Sequence, residues 1–225
     1  MSAPPLRLAE GSVEALVDLE HGGRLASLRI DGRELLVDEP DEPTWWGSYP
    51  MVPFAGRVRD GRLSFRGRDH ELRRNHPPHA IHGTAFEQTW EPAGPGTIAV
   101  ELGPGWPFRG RVTQRFGLAP DQLEVELVLE AVDAMPAMLG WHPWFRRRLG
   151  APLPPREARV DAAGHVPQPG DARLELDARS MYRRGPHGLP TGELIAPPPG
   201  PWDDCFTDLR GDPVLEWPGL LRLAV

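Results

Sequence analysis

Apolar and polar residues alternate along most of this chain, and the period is two. Leu123, Val125, Leu127 and Leu129 are separated by Glu124, Glu126, Val128 and Glu130, the pattern of a strand with one face on a core and the other toward water. Ile98, Val100 and Leu102 repeat it. No long stretch holds a helical period. Turn signals separate the runs: Asp31-Gly32 between LASLRI and RELLV, Asp60-Gly61 ahead of RLSF, and Ala119-Pro120-Asp121 between RVTQRFGL and QLEVELVLE. Proline cannot donate to a ladder, so Pro152, Pro154, Pro155, Pro167 and Pro169, and later Pro197, Pro198, Pro199 and Pro201, predict crossings and sheet edges. Many short strands joined by hairpins predict an all-β chain of large antiparallel sheets packed as a sandwich, one domain over residues 1–225.

Composition adjusts this picture little. With 28 Pro and 25 Gly the chain is rich in loops, while 40% hydrophobic residues and eight Trp supply a core. All 25 basic residues are Arg, and a net charge of −7 argues against nucleic acid as a partner. Cys205 is the only cysteine, which excludes an intrachain disulfide or a thiolate cluster; a small buried hydrophobe is its expected role. No run approaches the roughly 18 apolar residues of a membrane span, and the N-terminus MSAPPLRLAEGS has no apolar run after its first charge. A soluble cytoplasmic protein without membrane contact is the expectation.

Chemistry concentrates at a few places. His76, His79 and His82 fall within seven residues, and Gly83 beside His82 leaves room for a ligand. A strand over this stretch puts Ala80 and His82 on one face; it also sends residues three apart to opposite faces, and Pro77-Pro78 prevents a helix that would align the three histidines, so no metal site is expected. The plainer reading of His82 is a hydrogen-bonded, half-buried side chain. Arg57, in VPFAGRVRDG, has an apolar flank that predicts a partly buried guanidinium in need of an acceptor, an acidic side chain or a ligand's oxygens; Arg59 and Arg62 read as solvated. His142 lies between Trp141 and Trp144 in GWHPWF, where aromatic faces beside a proton-transfer group suit a sugar as well as a plain aromatic core. Asp203 and Asp204 stand in PWDDCF; a strand would direct one of them to a cleft, and Asp204 also suits a turn.

Taken together, YPMVPFAGRVRDGRLSFRGRDHEL, HAIHG, GWHPWF and WDDCF resemble, in order and approximate spacing, the arginine, first histidine, second histidine and aspartate motifs of the aldose 1-epimerase (galactose mutarotase) family. Gly56 departs from it, since many members carry Asn before the Arg. The resemblance implies an antiparallel β-supersandwich with a sugar cleft, and interconversion of the α and β anomers of a free aldose through the open-chain aldehyde. His142 would then protonate the ring oxygen, His82 would be a hydrogen-bonding or polarising histidine, and Arg57 and Asp203 would hold hydroxyls. Ring opening of a hemiacetal needs proton transfer, so the resemblance implies no cofactor and no metal.

The family's general base is a Glu in a Val-Glu-Pro-like setting beyond the aspartate motif. Only Glu216 follows Asp204, and it resembles the preceding strand, so the role is not carried onto it. By that comparison the chain reads as C-terminally short, with impaired turnover expected. Two other readings accompany this one. A hexose-phosphate mutarotase would need a cationic pocket, but the consecutive Arg146, Arg147 and Arg148 cannot all face one site; a non-catalytic carbohydrate-binding protein would need only the Arg, the Asp and the aromatic faces.

Overall fold

The computed structural model describes residues 4–40, 42–153, 168–200 and 202–225; Pro154, Pro155, Pro167 and Pro201 lie outside them. Among the described residues the chain is strand, loop and three single-turn 3-10 segments, and every ladder between strands is antiparallel. The all-β antiparallel class read from the sequence is therefore the one observed. Contacts gather into two compact units, Met1–Phe145 and Arg146–Val225.

In the first unit, a sheet runs in the order Leu6–Glu10, Val13–Asp18, Arg24–Ile30, Ser48–Met51, Gly140–Pro143, with Arg33–Glu34 added to Arg24–Ile30. A four-stranded meander follows the order Glu91–Gly94, Thr97–Glu101, Gly110–Ala119, Gln122–Ala131. Val13, Ala15 and Val17 turn inward while Glu14, Leu16 and Asp18 face outward, the alternation a half-buried strand requires. The meander contributes Ile98, Val100, Val112 and Phe116 to the buried set. Full burial of side chains such as Val17, Leu19 and Phe86 stabilises the unit by roughly 1.5–3 kcal/mol each. Gln114 ties the two sheets together: buried on the meander, it donates to the Gly23 carbonyl at 2.7 Å and accepts from Trp141 Nε1 at 3.0 Å.

Two of the three predicted hairpins form as read. Asp31-Gly32 joins Ile30 to its partner Arg33, with φ of 49° and 71°, as a tight two-residue loop needs. Pro120-Asp121 joins ten-residue strands paired from Gly110↔Ala131 to Ala119↔Gln122. Asp60-Gly61 is different. It turns the chain between strands of different sheets, since Arg57–Val58 pairs with Ala80–Ile81 and Arg62–Phe65 pairs with Arg68–Glu71. The hairpin loop there is Arg66-Gly67, both at positive φ. Sequence pattern finds a turn at Asp60-Gly61 but not which strands it separates, because that pairing is settled by distant residues.

The second unit holds two three-stranded sheets, Arg173–Glu175, Val214–Trp217, Leu221–Ala224 and Pro190–Ile195, Ala178–Arg184, Phe206–Leu209. Trp217 is fully buried, and its Nε1 donates to the Arg146 carbonyl at 3.0 Å. Pro197, Pro198 and Pro199 lie in an unpaired loop, as their lack of N–H requires.

Candidate active site

The frame of the site is built by backbone pairing around residues 52–61 and 72–84. Arg57 sits directly across from Ile81 in a two-stranded ladder. The Asn75 side chain then acts as a further strand: its Nδ2 donates to the Ile81 carbonyl at 3.0 Å and its Oδ1 accepts the Ile81 N–H at 2.8 Å. His76 and His79 exchange backbone bonds at 3.1 and 2.9 Å around Pro77-Pro78, whose peptide bond is cis, so the segment is a closed turn and not a strand. His79 is buried, and its Nδ1 accepts the Asp60 N–H at 3.0 Å. The Asp60 carboxylate lies 3.7 Å from that same nitrogen, but a lone pair committed to an N–H carries no proton to share, so we read the contact as structural and not as an ion pair. His76 is exposed. Among the described residues no three His, Cys, Asp or Glu gather as a metal site.

His82 does not continue the strand that the sequence predicts. The strand ends at Ile81, and His82 has φ of 60°, in the left-handed region where non-glycine residues are uncommon. The expectation that Ala80 and His82 share a face fails for that reason, since alternation holds only for extended backbone. Gly83 forces the change of direction: at φ 82° it bridges Val52, and a Cβ there would meet the Val52 carbonyl oxygen at 2.1 Å. The Val52 carbonyl also accepts the N–H groups of Thr84 and Ala85. Reciprocal bonds then lock His82 to Gly56: the His82 N–H donates to the Gly56 carbonyl at 2.9 Å, and the Gly56 N–H donates to His82 Nδ1 at 3.2 Å. With Nδ1 an acceptor, the neutral ring carries its proton on Nε2 and is a hydrogen-bond donor there.

Burial, first of all, holds His82 in that neutral form, and the nearby His142, Arg57 and His76 disfavour a further positive charge there, so its pKa falls to about 3. Between that value and the ~6.5 of an unfolded histidine, the unfolded chain binds the extra proton, so acidification across this window destabilises the fold, with a slope of up to about 1.4 kcal/mol per pH unit from this residue. Urea unfolding at pH 7, 6, 5 and 4 should show wild-type stability falling more steeply than that of His82→Gln; parallel curves would mean that the ring titrates normally.

His142 arrives from a strand far away in sequence. On Gly140–Pro143 it is the direct partner of Tyr49 on Ser48–Met51, and the two rings stack with centroids 5.0 Å apart and planes 8° apart. Trp141 turns to the opposite face and binds Gln114, while Trp144 stacks on His142 at 5.5 Å. The flanking tryptophans thus divide their work: one anchors the sheet, the other backs the histidine. The imidazoles of His82 and His142 meet edge to face with centroids 5.1 Å apart. Arg57 is half-buried, with no acidic partner among the described residues, and its Nε is buried without a hydrogen-bond partner. Arg59 and Arg62 are exposed, as read.

Asp203 belongs to the second unit. It is 77% exposed and takes Arg184 at two points, through its carbonyl and its Oδ2, both at 2.7 Å. Asp204 is half-buried and its Oδ2 accepts the Asp203 N–H at 3.3 Å. Cys205 is exposed, which corrects the expectation of a buried thiol; it lies just ahead of the strand Phe206–Leu209, itself only half-buried to exposed, and not in a core position. The run of arginines is split among separate partners, with Arg146 on the Ala151 carbonyl and Arg148 on the Asp171 carboxylate.

Sequence reasoning missed the residues beneath the site. Arg24 is almost wholly buried, donates to the carbonyls of His21, Trp46 and Pro43, and lies 4.2 Å over the Trp46 ring and 5.4 Å over Tyr49. Burial lowers its pKa to about 10. A charged residue opening a strand such as RLASLRI normally reads as exposed, so no local signal marks it. Gly56, by contrast, can be judged directly. At φ 76° with open space around a built Cβ, it should accept Asn, which tolerates left-handed backbone, with a stability change within about 1 kcal/mol, whereas Gly56→Val should cost about 2 kcal/mol or more. Chemical denaturation of the two variants checks the order.

An antiparallel all-β fold with two histidines and an arginine gathered in its first unit defines a class of candidate acid/base site. The family described as Aldose 1-epimerase matches residues 6–168, and the chain belongs to the aldose 1-epimerase family. It is 31% identical over 122 residues to the uncharacterized protein YphB of Escherichia coli (strain K12), a stretch that spans 51% of this chain and 39% of that relative. Among solved structures it is similar to a provisionally named aldose 1-epimerase of Escherichia coli K12, with TM-score 0.72, 24% identity, and 96% and 74% of the two chains covered. It is also similar to a galactose mutarotase-like protein of Clostridium acetobutylicum, with TM-score 0.67, 17% identity and coverage of 87% and 62%. These likenesses establish the fold. Among the described residues no helix is long and apolar enough to cross a membrane.

Proposed function

We propose that this chain is an aldose 1-epimerase, interconverting the α and β anomers of a free aldose by acid/base ring opening. The single observation that carries the reading is the pair of imidazoles 5.1 Å apart beside the half-buried Arg57, which has no acidic partner among the described residues. Proton transfer at a pyranose needs donors fixed within hydrogen-bond reach of neighbouring oxygens, and this spacing suits one sugar ring. In this mechanism His142 protonates the ring oxygen as the C1–O5 bond breaks, and the anomeric oxygen loses its proton to become the aldehyde carbonyl. Rotation about C1–C2 and reversal of the steps give the other anomer. His82, neutral and donating from Nε2, polarises an oxygen of the substrate; with its Nδ1 committed to Gly56, it is not the acceptor of the anomeric proton, which passes to a third group. Arg57, half-buried with its Nε unpartnered, holds hydroxyls.

Polarimetry tests this. Fresh solutions of α-glucose and α-galactose should reach anomeric equilibrium faster with the protein than without it. Sugar binding by calorimetry with no change in that rate would instead identify a non-catalytic carbohydrate-binding protein, and acceleration confined to phosphorylated hexoses would identify a hexose-phosphate mutarotase.

A further inference from the structure

Beneath the histidine pair lies one side chain that touches both rings. Tyr49 is wholly buried, stacks parallel on His142 at 5.0 Å, tilts against His82 at 6.0 Å, and is itself wedged against Phe86 at 5.3 Å. Its place is over-determined. The backbone pairs Tyr49 with His142, and Phe86 follows shortly after His82, so the ring sits where the two segments that carry the histidines converge. The hydroxyl is buried and has no hydrogen-bond partner among the described residues, and burial pushes its pKa further up. It is therefore unsuited to exchanging protons with a ligand.

We propose that Tyr49 is a positioning residue, whose ring acts as the common platform that sets the separation and mutual angle of the His82 and His142 imidazoles. This rests on the aldose 1-epimerase reading for its effect on turnover, but not for the geometry itself. The physical basis is packing. His142, on the edge strand of its sheet, stacks on both Tyr49 and Trp144, and His82 is tethered through Gly56 at one nitrogen. A rigid aromatic surface restricts both; a branched aliphatic side chain of smaller area gives neither a plane to stack on nor the same width. Displacement of a catalytic group by about 1 Å can cost on the order of 100-fold in rate. The contribution comes from the ring and not the hydroxyl, which separates this role from that of an acid or base.

The experiment compares Tyr49→Phe with Tyr49→Leu. Each is followed by polarimetry for kcat and KM, by thermal unfolding, and by NMR for nuclear Overhauser contacts between the His82 and His142 ring protons. Tyr49→Phe should keep kcat within about twofold and keep the inter-ring contacts, because the platform remains. Tyr49→Leu should lower kcat about 10- to 100-fold with KM changed much less, and should lose the contacts. Retained contacts and kcat in folded Tyr49→Leu would overturn the proposal, and so would an equal loss in Tyr49→Phe, which would place the effect in the hydroxyl. Should Tyr49→Leu fail to fold, Tyr49→Met, which keeps more of the volume but offers no plane, takes its place with the same readouts and the same two deciding outcomes. Should wild-type protein show no turnover, the enzymatic reading fails, and the NMR contacts in the two variants still confirm or refute the platform.

Discussion

Gly83→Ala is expected to leave little folded protein, or protein destabilised by at least about 3 kcal/mol. Two penalties combine. The residue needs φ of 82°, and an added Cβ would stand 2.1 Å from the Val52 carbonyl oxygen and 2.9 Å from the Val52 nitrogen, all backbone atoms that cannot swing aside. The same carbonyl accepts the N–H groups of Thr84 and Ala85, so moving it breaks further bonds. Gly67→Ala is the matched comparison, because Gly67 has φ of 75° but nothing within 4 Å of a built Cβ, and should cost only about 1 kcal/mol. Urea unfolding of both variants measures the difference. Equal losses would mean that the Val52 contact is relieved by a small shift, and that His82 is not held by it.

The second large effect is on chemistry. If His142 gives its proton to the ring oxygen, His142→Gln should lower kcat for anomer exchange by roughly 10²–10⁴, the usual range for a positioned acid or base. Folding should be little changed, since Gln keeps a planar polar group of similar reach against Tyr49 and Trp144. Spontaneous mutarotation is subtracted by a protein-free control, and circular dichroism confirms the fold. Turnover within about threefold of wild type would remove His142 from the acid role. His82 would then have to be reconsidered against its fixed tautomer, which offers a donor but no free lone pair at Nδ1.

Some of the site was open to reading because it is written locally. Arg57, His82 and His142 each stand in a short run whose turn residues and aromatic neighbours are visible in sequence, and the resemblance to the aldose 1-epimerase family rests on those runs. Asp203 is singled out by the same kind of local run, yet its carboxylate is exposed and bound to Arg184, a partner that sequence spacing does not suggest. Asn75 shows a different limit. It substitutes for a missing strand beside Ile81, and nothing in RRNHPP distinguishes that use from an ordinary loop asparagine.

The sequence by itself determined that this is an all-β protein, because period-two alternation, hairpin dipeptides and proline placement are properties of neighbouring residues. It also determined which histidines stand beside glycine, proline or tryptophan. Only the tertiary structure decided that His82 leaves the strand at positive φ, that its Nδ1 is taken by Gly56, and that Tyr49 lies under both imidazoles. The reason is physical. Strand periodicity is set by backbone geometry over a few residues, whereas the orientation and protonation of a side chain depend on what distant segments place against it, here Val52 against Gly83 and Tyr49 against His142.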